Sequence, residues 1–202
     1  YYREGDWAPF SMATVFSDDA ERKRLFAMIS SVTPERMTTD AGAFFDYLAT
    51  RAEVRGQAFG TTGYCMGGRH AITAAATCPD RVKAVASIHG GRLVSDAADS
   101  AHRRLAEVKA EVFFAFADQD PAAPETHLEV IRSQMVRHGL EGQVRLLRGA
   151  LHGFAFPERY CYHQQMAEYC SSVWFEMLER TLNPAVGAGR ASDIFPPRLC
   201  WR

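Results

Sequence analysis

From residue 57 to residue 182, short runs rich in apolar, β-branched and aromatic residues alternate with stretches of helical spacing, and that alternation restricts the fold more than any other feature. Strands are expected over 57–62, over "VKAVASI" (82–88), over "EVFFAFA" (111–117) and over "QVRLLRG" (143–149). Between and after them, helices are expected over 66–77, 101–109, 125–139 and 160–182. Strands that alternate with helices of 10 to 20 residues build βαβ units and a mostly parallel sheet covered by helices on its faces. An unbroken apolar run such as 112–117 suits a strand buried on both sides, so Phe113, Phe114 and Phe116 are core residues rather than a ligand box. Two more helices are expected before the first strand, over 18–30 and 34–50. In the second, Thr33 is placed to cap, Pro34 stands at the first helical position, and Met37, Ala41, Phe44, Phe45 and Leu48 recur at helical spacing. Past about Asn183 the periodicity stops. Residues 183–202, "NPAVGAGRASDIFPPRLCWR", carry Gly and Pro punctuation and read as a flexible tail on a domain spanning 1–182.

Composition narrows the function classes. At 202 residues the chain can bury one substantial core, and 47% hydrophobic with 23% charged residues is ordinary for a soluble globular domain. A formal net charge of −1 gives no electrostatic case for nucleic acid or an anionic membrane as partner. No apolar run nears the roughly 18 residues needed to span a bilayer, and "YYREGDWAPF" lacks the layout of a signal peptide. The five cysteines (Cys65, Cys78, Cys161, Cys170 and Cys200) are odd in number and contain no CxxC pair. That argues against a disulfide framework and against a zinc site, and for a reduced, cytoplasmic protein.

The chemistry-bearing residues gather where a parallel sheet places its ligands, beyond the carboxyl ends of the strands. Cys65 follows the first strand within "GTTGYCMGGRH" (60–70), flanked by glycines on both sides. Asp118 and Asp120 follow the third strand in "ADQDPAAP", and His152 follows the fourth in "ALHGFAFP". Nucleophile, acid, histidine is the chain order of α/β-hydrolases. In a nucleophile elbow the strand turns into a helix so tightly that a side chain at Gly63 or Gly67 would clash. The helix beginning at Met66 would point its positive end at the thiol and favour the thiolate, with the Met66 backbone N–H as an oxyanion donor. His152 would be the base, held in its tautomer by an acid. Gly-x-Cys-x-Gly alone is a weak signal, because glycine and cysteine also mark close helix–strand packing. The weight lies in three groups, each after its own strand and in the right order. Spacing leaves Asp118 and Asp120 both open. His89, in "SIHGG", also ends a strand and is expected to be structural or to line the pocket. His70 is expected to pack on the elbow helix, and Cys78, Cys161 and Cys170 read as core or helix-surface thiols.

These motifs resemble the dienelactone hydrolase family. "GTTGYCMGG" is similar to its elbow, in which cysteine replaces serine, "HGFAFP" to its histidine loop, and "DQDPAAP" to its acid segment, which selects Asp120. The resemblance runs from about residue 1 to 182. It implies a three-layer α/β-hydrolase-type fold with a mostly parallel sheet. It also implies hydrolysis of a small ester or enol-lactone by Cys65, Asp120 and His152, without metal or organic cofactor. Against the family pattern, the chain would begin after the fourth strand of an eight-stranded sheet, leaving the N-terminal strands and the second oxyanion loop missing. Of the two arginines that hold the family's substrate carboxylate, Arg3 matches one. Phe156 stands where the other would be, which favours a more apolar substrate; Arg159 is a possible substitute.

Overall fold

The computed structural model describes residues 9–11 and 13–183; Arg3 and the tail from residue 184 lie outside the described residues. Six α-helices and four strands follow one another as α1 (Asp19–Ser31), α2 (Pro34–Ala49), β1 (Phe59–Tyr64), α3 (Met66–Thr77), β2 (Val82–Ile88), α4 (Ala101–Arg104), β3 (Glu111–Gln119), α5 (Glu125–His138), β4 (Gly142–Leu151) and α6 (Gln164–Leu182). The strands pair in sequence order, and every pairing is parallel. This is the three-layer α/β architecture that the alternation implied.

Each element starts and stops for a local reason. The Asp18 carboxylate caps α1 by accepting from the Glu21 N–H at 2.8 Å. Thr33 caps α2 by accepting from Arg36, with Pro34 just inside. Gly139, in the left-handed region at φ 62°, ends α5. Three expectations need correction. The 160–182 helix begins only at Gln164, because residues 160–163 form the return from the His152 loop. The expected helix over 101–109 is a single α-turn that tightens into a 3-10 turn over Leu105–Glu107. Phe44, at a helical repeat with the others, is exposed, and the face of α2 that packs is Ala41 and Phe45.

The pleat of the sheet sorts the core into two halves. In β3, Val112, Phe114 and Phe116 face one way, into a cluster with Phe45, Phe59, Ile72, Leu128 and Ile131 from α2, β1, α3 and α5. Phe113, Ala115 and Ala117 face the other way, onto Cys170, Trp174 and Met177 of α6. One helix layer is broad and the other, among the described residues, is essentially α6. Arg81 fastens α2 to the sheet: its guanidinium meets Asp46 at 2.7 Å and lies over the Phe45 and Phe59 rings. No helix among the described residues is long and apolar enough to cross a membrane.

Candidate active site

Strand register decides which side chains meet. Tyr64 is the last partner of β1 and pairs with Ile88, so Cys65 and His89 leave the sheet side by side. Gln119 pairs with Leu151 across β3 and β4, so Asp120 and His152 also emerge together. All four residues lie at the carboxyl edge of the sheet, where parallel α/β folds collect their reacting groups.

Cys65 sits at the apex of a sharp turn with φ 53° and ψ −122°, a left-handed conformation that costs a side-chain-bearing residue of order 1–3 kcal/mol. The turn is possible because residue 63 is glycine: a Cβ there would overlap the carbonyl of Gly67 and crowd the Gly68 nitrogen. The expectation that a side chain at Gly67 would also clash is wrong. Nothing lies within 4 Å of a Cβ built there. The second tight contact belongs to Gly68, where a Cβ would run into Ser87 Oγ and the Gly90 backbone. The result is an exposed thiol at the start of α3.

The His152 Nδ1 lies 2.6 Å from Asp120 Oδ2. Asp120 Oδ1 accepts from the Ala122 N–H at 2.8 Å, so both carboxylate oxygens have partners and the carboxylate, with no exposed side-chain surface, cannot swing away. Asp118 does something else: its Oδ2 accepts from the Gly149 N–H at 3.0 Å, on the exposed side of β3 and β4. Two residues along a strand return to the same face, but Asp120 is already past the end of β3, where the chain bends toward His152.

Electrostatics ties the thiol to the imidazole. The Asp120 hydrogen bond, with help from the Cys65 sulfur and against the cost of burial, pushes His152 up to about 10. Burial raises the Cys65 thiol, but the hydrogen bond and charge of His152 and the Met66 backbone N–H outweigh it, and the net shift is downward. A raised base beside a lowered acid favours transfer of the thiol proton to the imidazole. The Met66 N–H, the first of α3, is among the groups that lower the thiol.

The neighbours complete the site. Gly153, at φ 92°, turns the chain immediately after His152, and Arg159 packs against it so closely that a Cβ would lie 2.6 Å from the Arg159 Nε. Arg159 therefore belongs to the histidine loop. Cys161 is buried and donates its S–H to the His152 carbonyl at 3.1 Å. Phe156 packs against Tyr64 at 5.1 Å between ring centroids and against His89 at 5.8 Å, giving the site an aromatic wall. His70 is part-buried on α3, lowered to about 4 by burial and by Arg69. A cavity of about 300 Å³ beside it is lined by Arg69, Thr73, Arg92 and Ser100 and by none of Cys65, Asp120 and His152.

The residue that sequence reasoning undervalued is His89. It is fully buried, its Nδ1 accepts from the backbone N–H of Cys65 at 3.2 Å, and its ring stands edge-on to that of His152 at 5.1 Å. Burial, then the nearby His152, lowers it to about 4, so it is neutral in the range where His152 is charged. The signal was present in its position: it follows β2 as Cys65 follows β1.

The sequence profile of the dienelactone hydrolase family matches residues 1–182. The chain belongs to that family. A "probable 2-oxo-3-(5-oxofuran-2-ylidene)propanoate lactonase" from a Bradyrhizobium species is 26% identical over 161 residues, which are 78% of this chain and 63% of that relative. The chain therefore spans less than two thirds of the length of that lactonase. Among solved structures, a "putative dienelactone hydrolase" from Klebsiella pneumoniae superposes with a TM-score of 0.69 at 21% identity, over 91% of this chain and 72% of the other. A dienelactone hydrolase-like promiscuous phosphotriesterase from metagenomic libraries gives 0.64 at 21% identity, over 88% and 71%. At such identities the structural likeness speaks for the fold, and it is the dienelactone hydrolase fold.

Proposed function

We propose that this dienelactone hydrolase family member cleaves a small ester or lactone through Cys65, His152 and Asp120. The observation that carries the reading is the buried Asp120 carboxylate bonded to the His152 imidazole, with that imidazole raised and the exposed Cys65 thiol lowered by their mutual interaction. The Cys65 thiolate attacks the carbonyl carbon, forming a C–S bond while the carbonyl electrons move onto oxygen. That oxyanion takes a hydrogen bond from the Met66 N–H. Its collapse breaks the C–O bond, and the leaving oxygen receives the proton of the His152 imidazolium. His152, now neutral, removes a proton from water, which attacks the thioester. The second collapse expels the thiolate, releases the carboxylic acid, and restores the pair.

A thiolate is a good nucleophile at neutral pH but gives a modest push against a poor leaving group, which favours enol-lactones and activated esters. The packing of Phe156 on Tyr64 favours a second, related reading, a carboxylesterase of broad specificity for apolar acyl groups. Arg3, the match to the family's carboxylate-binding arginine, lies outside the described residues. A reducing cytoplasmic setting goes with a reactive thiol beside other free cysteines.

Hydrolysis of p-nitrophenyl acetate by the chain and by its Cys65→Ala variant, both checked for folding by circular dichroism, tests the reading. Activity that disappears in the variant supports it. Equal rates from two folded proteins would overturn it for this chain and leave a binding role at most. Comparing anionic with neutral esters separates the lactonase from the esterase.

A further inference from the structure

Three residues other than glycine have left-handed φ among the described residues: Cys65 at 53°, His89 at 40° and Arg92 at 54°. They are not scattered. Backbone hydrogen bonds lace them into one unit that spans three strand ends. The Gly91 N–H donates to the Cys65 carbonyl at 3.0 Å, and the Arg92 N–H donates to the Ala122 carbonyl at 2.9 Å, in the loop that holds Asp120. The His89 N–H donates to the Ala115 carbonyl of β3 at 2.8 Å. Strain concentrated at adjoining positions persists only where the surroundings over-determine it, and it gathers where geometry matters to function.

Within this unit one side chain has no evident structural need to be polar. His89 has no exposed surface and stands among the rings of Tyr64, His152, Phe154 and Phe156, where a leucine or phenylalanine would bury as well. Its Nε2 has no hydrogen-bond partner, an uncommon state for a buried nitrogen. Its Nδ1 is the nitrogen in use: it shares the Cys65 N–H with the Ile88 carbonyl, both at 3.2 Å. That N–H belongs to the strained apex residue, and a peptide rotation that aims it elsewhere would open the elbow.

We propose that His89 is a positioning residue for Cys65, holding the strained elbow closed through Nδ1 and setting the sulfur against His152 and the Met66 N–H. The assignment rests on the reading of Cys65 as the nucleophile. It requires the neutral Nε2–H tautomer, because only an unprotonated Nδ1 can accept. It also explains why a residue larger than glycine occupies a left-handed position.

The test compares His89→Asn, His89→Gln and His89→Gly with the wild type. The asparagine oxygen reaches the place of Nδ1, and asparagine tolerates left-handed φ. The glutamine oxygen reaches the place of Nε2, and glycine meets the backbone conformation with no acceptor at all. Two quantities are read: the rate of Cys65 alkylation by iodoacetamide across pH, located by mass spectrometry, and kcat and KM for p-nitrophenyl acetate. The glutamine and glycine variants should lose about tenfold in neutral-pH alkylation rate and in kcat, the scale of one lost hydrogen bond. Their alkylation midpoints should move to higher pH, with KM little changed, and asparagine should restore most of each loss. Glutamine or glycine matching asparagine would overturn the proposal. Should those two variants fail to fold, the tautomer of His89 in the wild type, read by 15N NMR, decides: Nε2–H is expected, and Nδ1–H overturns it. Alkylation needs no turnover, so the absence of Cys65-dependent hydrolysis in the wild type would remove the hydrolase reading while leaving the asparagine–glutamine contrast to judge His89.

Discussion

The two ends of the sheet hold the side chains of the candidate site by different means. At the β1–β2 end, Cys65 and His89 are fixed by the main chain, in left-handed turns laced by backbone hydrogen bonds and made possible by Gly63 and Gly68. At the β3–β4 end, Asp120 and His152 are fixed by side chains, a carboxylate bonded at both oxygens and an imidazole bonded to it. The register that pairs the strands treats both ends alike, since in each the two residues are the first past a paired position. The difference teaches where damage should appear. Substitutions at the β3–β4 end should reach activity through protonation and orientation, and substitutions around the elbow should reach the fold first.

The widest break in that comparison is Cys65 itself, which is exposed although its neighbours are structural. Cys65→Ala is expected to lower ester hydrolysis by about three orders of magnitude or more while leaving the thermal melt within a few degrees of the wild type. A large drop in melting temperature would show the thiol to be part of the packing.

At the other end, Asp120→Asn should cut kcat by about a hundredfold or more, because an amide cannot stabilise the imidazolium as the carboxylate does. In the same variant the His152 pKa, followed by NMR, should fall from its position near 10, since the Asp120 hydrogen bond is the chief cause of the rise. Asp118→Asn should leave kcat within about threefold, as the Gly149 N–H it serves lies on the exposed side of the strands. Equal losses at 118 and 120 would contradict the division of labour between them.

Glycine substitutions sharpen the contrast in stability. Gly63→Ala should cost about 3 kcal/mol or more in urea unfolding, or prevent folding, because the overlap is with backbone that cannot yield. Gly67→Ala should be neutral or stabilise by up to about 1 kcal/mol, since its Cβ meets open space within a helix.

A separate expected effect is in the pH dependence of stability. His152 is raised from 6.5 to about 10, so its contribution is complete below pH 6.5 and is lost as pH climbs through about 10. His89 is lowered from 6.5 to about 4, so its contribution is complete above pH 6.5 and is lost as pH falls through about 4. The unfolding midpoint should therefore sag on both sides of the neutral range. His89→Asn should remove part of the acid limb and spare the alkaline one. Loss of both limbs together would mean that the two imidazoles titrate as one group.

Much of this was legible in the sequence. The alternation of apolar strands and helices set a parallel α/β sheet, and the helix at 66–77 and the strand at 82–88 fall where their composition put them, because apolar patterning and burial there agree. Cys65, His152 and an acid at 118 or 120 could be proposed because each stands at the end of its own strand, a position that sequence spacing records, and the family resemblance chose Asp120. Spacing could not separate Asp118 from Asp120, since the choice depends on where β3 ends and how it registers with β4. Nor could it tell that Gly68 rather than Gly67 is the crowded glycine, because that depends on how closely α3 lies over β2. Nor could spacing tell that Phe44 is exposed while Phe45 is buried: helical spacing defines a stripe, and the layer it packs against decides how wide the buried part is. The sequence thus determined the elements, their order and the chemistry at their ends, all properties of residues close along the chain. Only the tertiary structure decided which end meets which, and His89 beside Cys65 is the plainest case. Their contact spans 24 positions of sequence and exists because two parallel strands stop at the same level.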